Sequence, residues 1–223
     1  MKQLVLDIGL ATDPTLQNWE VGDNQALQQH IQEWLAGQAS HVPTYIYGAS
    51  GCGKSHLLRA VAHDLQGQGL RVGWLDAARM HPQEFDPTWS AVLLDDVHLY
   101  NAGLQHSAFN WLINAQTHTC RVLAAGDAAP VQLALREDLR TRLGWGHVFY
   151  LQPLSESAQR AVLRRSAAER GLLLGDDVLD YMLKRWSRDL GSLMELLQQM
   201  DRYALQTRRS ITIPLIKSMM DDE

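Results

Sequence analysis

One eight-residue string limits what this chain can become more than any other: Gly48-Ala49-Ser50-Gly51-Cys52-Gly53-Lys54-Ser55. It fills every fixed position of the phosphate-loop pattern G-x-x-x-x-G-K-[ST]. The setting agrees. The β-branched and aromatic run Thr44-Tyr45-Ile46-Tyr47 precedes it as a strand. From Ser55 to Gln66, Leu57, Leu58, Val61, Ala62 and Leu65 share one face of a helix. Glycines let consecutive backbone N–H groups turn inward around phosphate oxygens, and the helix N-terminus adds its positive end. In this pattern Lys54 reaches the β- and γ-phosphates and Ser55 ligates Mg2+. The competing account is an ordinary strand-turn-helix with chance glycines, and the full pattern in this setting weighs against it. Cys52 fills a variable position, as a small filler or as a thiol whose pKa the helix N-terminus lowers.

A second element points the same way. Ala91-Val92-Leu93-Leu94-Asp95-Asp96 is an apolar strand ending in two carboxylates, the form of a Walker B motif. A buried strand aims Asp95 at the Mg2+ coordination shell, and Asp96 is set to orient or deprotonate an attacking water. Alone, two acids at a strand end read as a turn; paired with the loop upstream, they read as a site.

Further strands are expected at Arg71 to Leu75, Arg121 to Ala125 and His147 to Leu151, with a helix over residues 104–117. Strands that are apolar throughout and alternate with helices imply a parallel sheet covered on both faces. After Gln152-Pro153-Leu154 the pattern becomes helical: Ser155 to Glu169, stopped by Gly171, then Asp176 to Trp186 and Leu190 to Gln206. Ile211-Thr212-Ile213-Pro214 reads as a short extended piece before a last helical turn. The fold class is α/β, a phosphate-loop sheet with flanking helices followed by a small helical domain. The expected divisions are an extended tail at 1–9, an α/β domain at 10–153 and a helical domain at 154–223.

Charge and composition narrow the partners. Residues 1–150 carry 9 Lys/Arg against 14 Asp/Glu, and residues 151–223 carry 11 against 11. Neither part is basic enough to hold a nucleic-acid backbone strongly by itself. No apolar run approaches a membrane span, and the first residues lack the features of a signal peptide. The two cysteines, Cys52 and Cys120, form no disulfide framework, and the nine histidines show no zinc spacing. These features together predict a cytoplasmic protein.

With these residues in place the chain resembles the AAA+ module of the bacterial replication initiator DnaA. Four segments carry the resemblance: Asn18-Trp19-Glu20-Val21-Gly22-Asp23-Asn24, Gly48 to Leu58, Leu93 to Leu99, and Arg140-Thr141-Arg142-Leu143-Gly144-Trp145-Gly146. It implies that the helical domain is the AAA+ lid. It also implies an adenine nucleotide, ADP or ATP, with Mg2+ held by Ser55 and Asp95. Nucleotide contacts are then carried to Trp19, Val21, Gly22 and Asn24, and around the loop to Gly48, Ser50, Gly51, Cys52, Gly53, Lys54, Ser55 and His56. Asp127 matches the sensor 1 position, and Arg142 the arginine finger offered to a neighbouring subunit's nucleotide. Read without the resemblance, Trp19 and Val21 are equally core anchors, Asp127 a turn or cap residue, and Arg142 a helix-end arginine favoured by the helix dipole.

DnaA continues into a DNA-binding domain, whereas only 17 residues follow Gln206, too few for a domain of at least ~50 residues. Near the N-terminus stands Gln3-Leu4-Val5-Leu6-Asp7-Ile8. It resembles the short peptides that dock on the replicative sliding clamp, with Gln3, Leu4, Leu6 and Ile8 as the contacts; alternate side chains of an extended segment fill pockets in an apolar groove. An edge strand of the sheet is the competing account. A short DnaA-like module with such a tail resembles the Hda family of DnaA-homologous regulators. That resemblance implies clamp and DnaA as partners, DNA met only through the clamp, room for a homo-oligomer, and stimulation of DnaA's ATP hydrolysis that prevents over-initiation. The alternative is an ATP-dependent helicase loader. Gly191 stands where the lid helix of the family carries its sensor 2 arginine, with Arg188 one turn away. That substitution argues against efficient self-hydrolysis, while Lys54, Asp95 and Asp96 argue for it.

Overall fold

The computed structural model describes residues 13–38, 42–78, 83–186, 189–207 and 209–221. The chain divides into two compact units, joined between Pro153 and Leu154. Within the first, helix α1 (Gln25–Leu35) leads into strand β1 (Thr44–Tyr47), helix α2 (Lys54–Gly67), strand β2 (Val72–Leu75) and strand β3 (Ala91–Leu94). A 3-10 turn (Val97–Leu99), helix α3 (Ala102–Thr117), strand β4 (Arg121–Gly126), helix α4 (Glu137–Gly144) and strand β5 (His147–Tyr150) complete it. The strands lie in the order β2-β3-β4-β1-β5, and every pair is parallel.

Strand alternation divides the core in two. Tyr45, Val92, Leu94, Val122 and Ala124 point to one face and pack with Leu104, Ala108, Trp111, Leu139 and Leu143 of α3 and α4. Ile46, Ala91, Leu93, Leu123 and Ala125 point to the other and pack with Leu27, Ile31, Trp34, Leu57, Leu58 and Leu65 of α1 and α2. Both faces of the central strands are therefore dry, which is why those strands read as apolar throughout.

Helix α1 was missing from the sequence reading. Its apolar spacing Leu27, Ile31, Trp34 is helical, but it lies among glutamines. The helix is closed by a distant residue: Arg121 Nη1 donates to Trp34 O at 2.8 Å and Leu35 O at 3.0 Å, with its guanidinium over the Trp34 ring. Those carbonyls are among the last-turn acceptors that a helix leaves unpaired.

The second unit is helical: α5 (Glu156–Glu169), α6 (Asp176–Arg185), α7 (Leu190–Thr207) and α8 (Ile213–Asp221). They enclose one core, with Leu163, Leu179, Met182, Leu193, Leu197, Met200 and Ile216 at its centre. Ser155 Oγ accepts the N–H of Ala158, and Asp189 Oδ1 accepts that of Ser192 at 2.8 Å, so α5 and α7 start with capping residues. Acids Asp176 and Asp177 in the first turn of α6 and Lys184 and Arg185 in its last complement the helix dipole.

One expectation is corrected here. The stretch from Ile211 to Pro214 is not an extended piece: Ile213 and Pro214 already belong to α8, which runs nine residues, well beyond one turn. Proline is accepted in a first turn, where its missing N–H removes no internal bond. Thr212 Oγ1 accepts the N–H of Leu215 at 3.4 Å, closing that turn from outside. No helix among the described residues is long and apolar enough to cross a membrane.

Candidate nucleotide site

The phosphate loop leaves the C-terminal end of β1 and enters α2. Gly51 (φ 70°) and Gly53 (φ 104°) adopt left-handed backbone, which turns the loop without a Cβ penalty. Gly48 needs its hydrogen for another reason: a Cβ there would lie 2.8 Å from Leu151 O. Ser50 is exposed at the loop's crown.

Lys54 is buried, and its Nζ donates to Gly48 O at 2.8 Å and Ala49 O at 2.9 Å. Its ammonium therefore stands inside the cradle formed by the loop. The Cys52 sulfur lies 3.9 Å from that ammonium. Burial pushes the Cys52 thiol up despite the opposing pull of Lys54, contrary to the lowering a helix N-terminus can cause. Cys52 is a filler here rather than an activated thiol.

Ser55 and Asp95 meet across the sheet end. Ser55 Oγ donates to Asp95 Oδ1 at 3.0 Å, and the same oxygen accepts the N–H of Asp96 at 3.1 Å. Asp95 is only 3% exposed; burial raises its carboxyl above the ordinary value, the Ser55 hydrogen bond opposes this, and Asp96 adds to it. Two oxygens 3.0 Å apart match one edge of an octahedron with metal–oxygen distances of about 2.1 Å. The pair therefore fits Mg2+, which takes few protein ligands and would supply charge neutralisation at the phosphates. Asp96 has φ 48°, a left-handed conformation rare outside glycine and asparagine, of the kind that collects at functional sites.

The segment from Thr15 to Asn24 is tied to this loop. His56 Nε2 and Asn18 Oδ1 are 2.9 Å apart, linking the segment to α2. Trp19 is buried in the core beneath α2, with its indole nitrogen toward Gly53, and Val21 packs partly buried beside it. Asn24 is 5% exposed and gives its whole side chain to backbone. Nδ2 donates to Val21 O at 2.9 Å and Gln152 O at 3.0 Å, and Oδ1 accepts Gln152 N–H at 2.7 Å. Any part Asn24 plays in a nucleotide pocket is thus to hold Gly22 and its neighbours against the end of β5. Gly22 turns there with φ 52°.

Asp127 follows β4, and Gly48 N donates to Gly126 O at 3.3 Å, so that residue adjoins the phosphate loop. Arg142 is elsewhere. It is in the last turn of α4, its Nη1 donating to Gln116 Oε1 at 3.3 Å and its guanidinium 5.5 Å from the centre of the Phe109 ring. With Pro43, Val122 and Trp145 it lines a small cavity at the N-terminal ends of β1, β4 and β5. Arg140, two residues earlier, cannot share that face of the helix. The structure thus brings Lys54, Ser55, Asp95, Asp96 and Asp127 together at one end of the sheet and leaves Arg142 at the other. Gln3, Leu4, Leu6 and Ile8, and likewise Arg188, lie outside the described residues. Gly191 is in the first turn of α7.

Sequence reasoning missed the surroundings of both ends: His98 beside Asp127, Tyr45 donating to Ala128 O, and Phe109, Gln116 and Arg136 around Arg142. These contacts join distant parts of the chain, and no local pattern carries them.

Comparison with known proteins agrees with this fold. Residues 156–220 match the Hda lid domain family, and residues 10–83 match the bacterial DnaA ATPase domain family. Domain III of the Thermotoga maritima replication initiation protein DnaA superposes with a TM-score of 0.80 at 20% identity, covering 95% of this chain and 97% of that one. AMPPCP-bound DnaA from Aquifex aeolicus gives a TM-score of 0.67 at 24% identity over 83% of this chain and 65% of its own length. A replication initiator DnaA bound to AMPPCP and single-stranded DNA gives 0.69 at 22% identity, over 84% of this chain and 64% of that one. The chain spans about two thirds of these last two. The Hda-lid and DnaA-ATPase family matches, with the DnaA domain III fold, together support an Hda/DnaA-like AAA+ protein.

Proposed function

We propose that this protein is a nucleotide-bound regulator that docks on the DNA polymerase sliding clamp and stimulates ATP hydrolysis by DnaA, restraining replication initiation. The observation that carries the reading is the separation of Arg142 from the phosphate loop. Gly48 begins at the C-terminal end of β1, while Arg142 sits with Pro43 at its N-terminal end. A guanidinium so far from Lys54 and Ser55 has no role at this chain's own γ-phosphate, but it is free to meet a neighbour's. There it would stabilise charge developing in the transition state. Adenine nucleotide and Mg2+ at Lys54, Ser55 and Asp95 would hold the module in its working form. The Hda-type lid and the clamp-like residues Gln3, Leu4, Leu6 and Ile8 supply the rest of the case.

The test follows labelled ATP on DnaA with clamp-loaded DNA. Arg142→Ala should keep nucleotide and clamp binding and lose stimulation by a factor on the order of 10³ or more, as for fingers acting in trans. Arg140→Ala is the internal control and should stimulate normally. Full stimulation by Arg142→Ala would remove the finger assignment. Retention on the replicative helicase, with none on clamp or DnaA, would instead favour a helicase loader.

A further inference from the structure

His98 lies in the 3-10 turn that follows Asp95 and Asp96, its side chain 21% exposed. Its Nδ1 is buried and has no hydrogen-bond partner. Beside it, at 3.9 Å, stands Asp127 Oδ1, on a carboxylate that is 51% exposed. A buried ring nitrogen left unpaired is costly, and such atoms are rare in native proteins. The gap is a small side-chain rotation away from hydrogen-bond range.

The backbone around Asp127 is fixed from the opposite side. Gly126 O accepts from Gly48 N, the first residue of the phosphate loop. Tyr45, on β1, donates its hydroxyl to Ala128 O at 2.8 Å, and a Cβ on Gly126 would collide with that hydroxyl. The loop therefore moves with β1, while the Asp127 carboxylate is left for His98 to orient.

That carboxylate has an electrostatic consequence. Asp95, Asp96 and Asp127 all lie at the strand ends beside the phosphate loop, where Lys54 is the cation in the cradle. A γ-phosphate brings further negative charge to the same place, so an uncompensated Asp127 selects against a triphosphate more than against a diphosphate. We propose that His98 is a specificity-determining residue of this site. By donating its Nδ1–H to Asp127 it offsets that carboxylate and admits a nucleoside triphosphate alongside a diphosphate. The neutral Nδ1–H tautomer and the protonated ring both supply the donor. This rests on the reading of Gly48 to Ser55 as an adenine-nucleotide site.

The experiment measures Kd for fluorescent ADP and for fluorescent AMPPCP, with Mg2+, on the full chain. In His98→Ala the ratio of AMPPCP to ADP dissociation constants should rise about tenfold, the scale of one hydrogen bond to a charged group. His98→Asn, whose amide offers a donor near the Nδ1 position, should restore the ratio. So should Asp127→Asn in the His98→Ala background. Melting temperatures without nucleotide report folding. If His98→Ala does not fold, Asp127→Asn alone decides: its ratio must be at or below that of the wild type, and a rise overturns the proposal. An unchanged ratio in His98→Ala, or equal weakening of both nucleotides, also overturns it. Failure of the wild type to bind either nucleotide would instead remove the site reading, and the inference with it.

Discussion

Ser55 Oγ donates a 3.0 Å hydrogen bond to Asp95 Oδ1, joining the start of α2 to the end of β3. The bond holds two oxygens together where burial has otherwise made ionisation of Asp95 unfavourable. Burial raises that carboxyl, so its folded pKa lies above its unfolded one. The protonated form is thus the one that folding favours. The stability it contributes is complete below the unfolded value of 3.8 and is lost as pH rises through the folded value.

Asp95→Asn should accordingly stabilise the nucleotide-free fold at pH 7, by about 1 kcal/mol. The amide oxygen still accepts from Ser55 and Asp96, and the position no longer carries a buried charge. Urea unfolding at pH 7 and again below pH 4 checks it. The gain should vanish at the lower pH, where both side chains are neutral. The variant should also lose Mg2+-dependent nucleotide binding.

Lys54→Ala tests the cradle. ADP at 100 times its Kd should stabilise the wild-type fold by about 2.7 kcal/mol, because only the folded state holds the site. Most of that gain should disappear in the variant. Equal thermal shifts in the two proteins would rule out the loop as the phosphate site.

Asn24→Ala should cost about 2–3 kcal/mol, since it strips partners from the backbone of Val21 and Gln152 at a residue that is 5% exposed. Chemical denaturation gives the number directly. Nucleotide affinity should fall with it, because the segment carrying Trp19 and Gly22 loses its anchor. An Asn24→Ala protein as stable as wild type would contradict the geometry.

A Gln3→Ala, Leu4→Ala double variant should keep the wild-type melting temperature and fail to be retained on immobilised sliding clamp. Loss of folding together with clamp binding would mark the segment as a structural strand.

How much of this was legible beforehand depended on range. The strand Thr44 to Tyr47, its loop and α2 were readable because pattern, glycines and helical spacing all lie within a few residues. The same holds for Ala91 to Leu94 and its two acids. Ile213 and Pro214 misled, because β-branched residues before a proline look extended locally, while the cap from Thr212 and the burial of Leu215 and Ile216 settle the backbone as helix. His98 meets Asp127, and Arg142 meets Phe109 and Gln116, only after β3, β4 and α4 are stacked. No period or motif in the chain encodes those meetings.

Because β1 carries the phosphate loop at one end and Arg142 lies by its other end, the AAA+ unit has a direction. If Arg142 acts on a neighbour as proposed, an arginine given from the far end and a nucleotide held at the near end cannot both be satisfied in a two-fold pair, where each surface meets its own copy. They would form a head-to-tail contact, which leaves one donor and one acceptor unused at the extremities of an open row and none in a closed ring. On that proposal, a subunit of this kind added to a row of related ATPases would act on one neighbour only, and where it lacks a matching acceptor surface it would end the row.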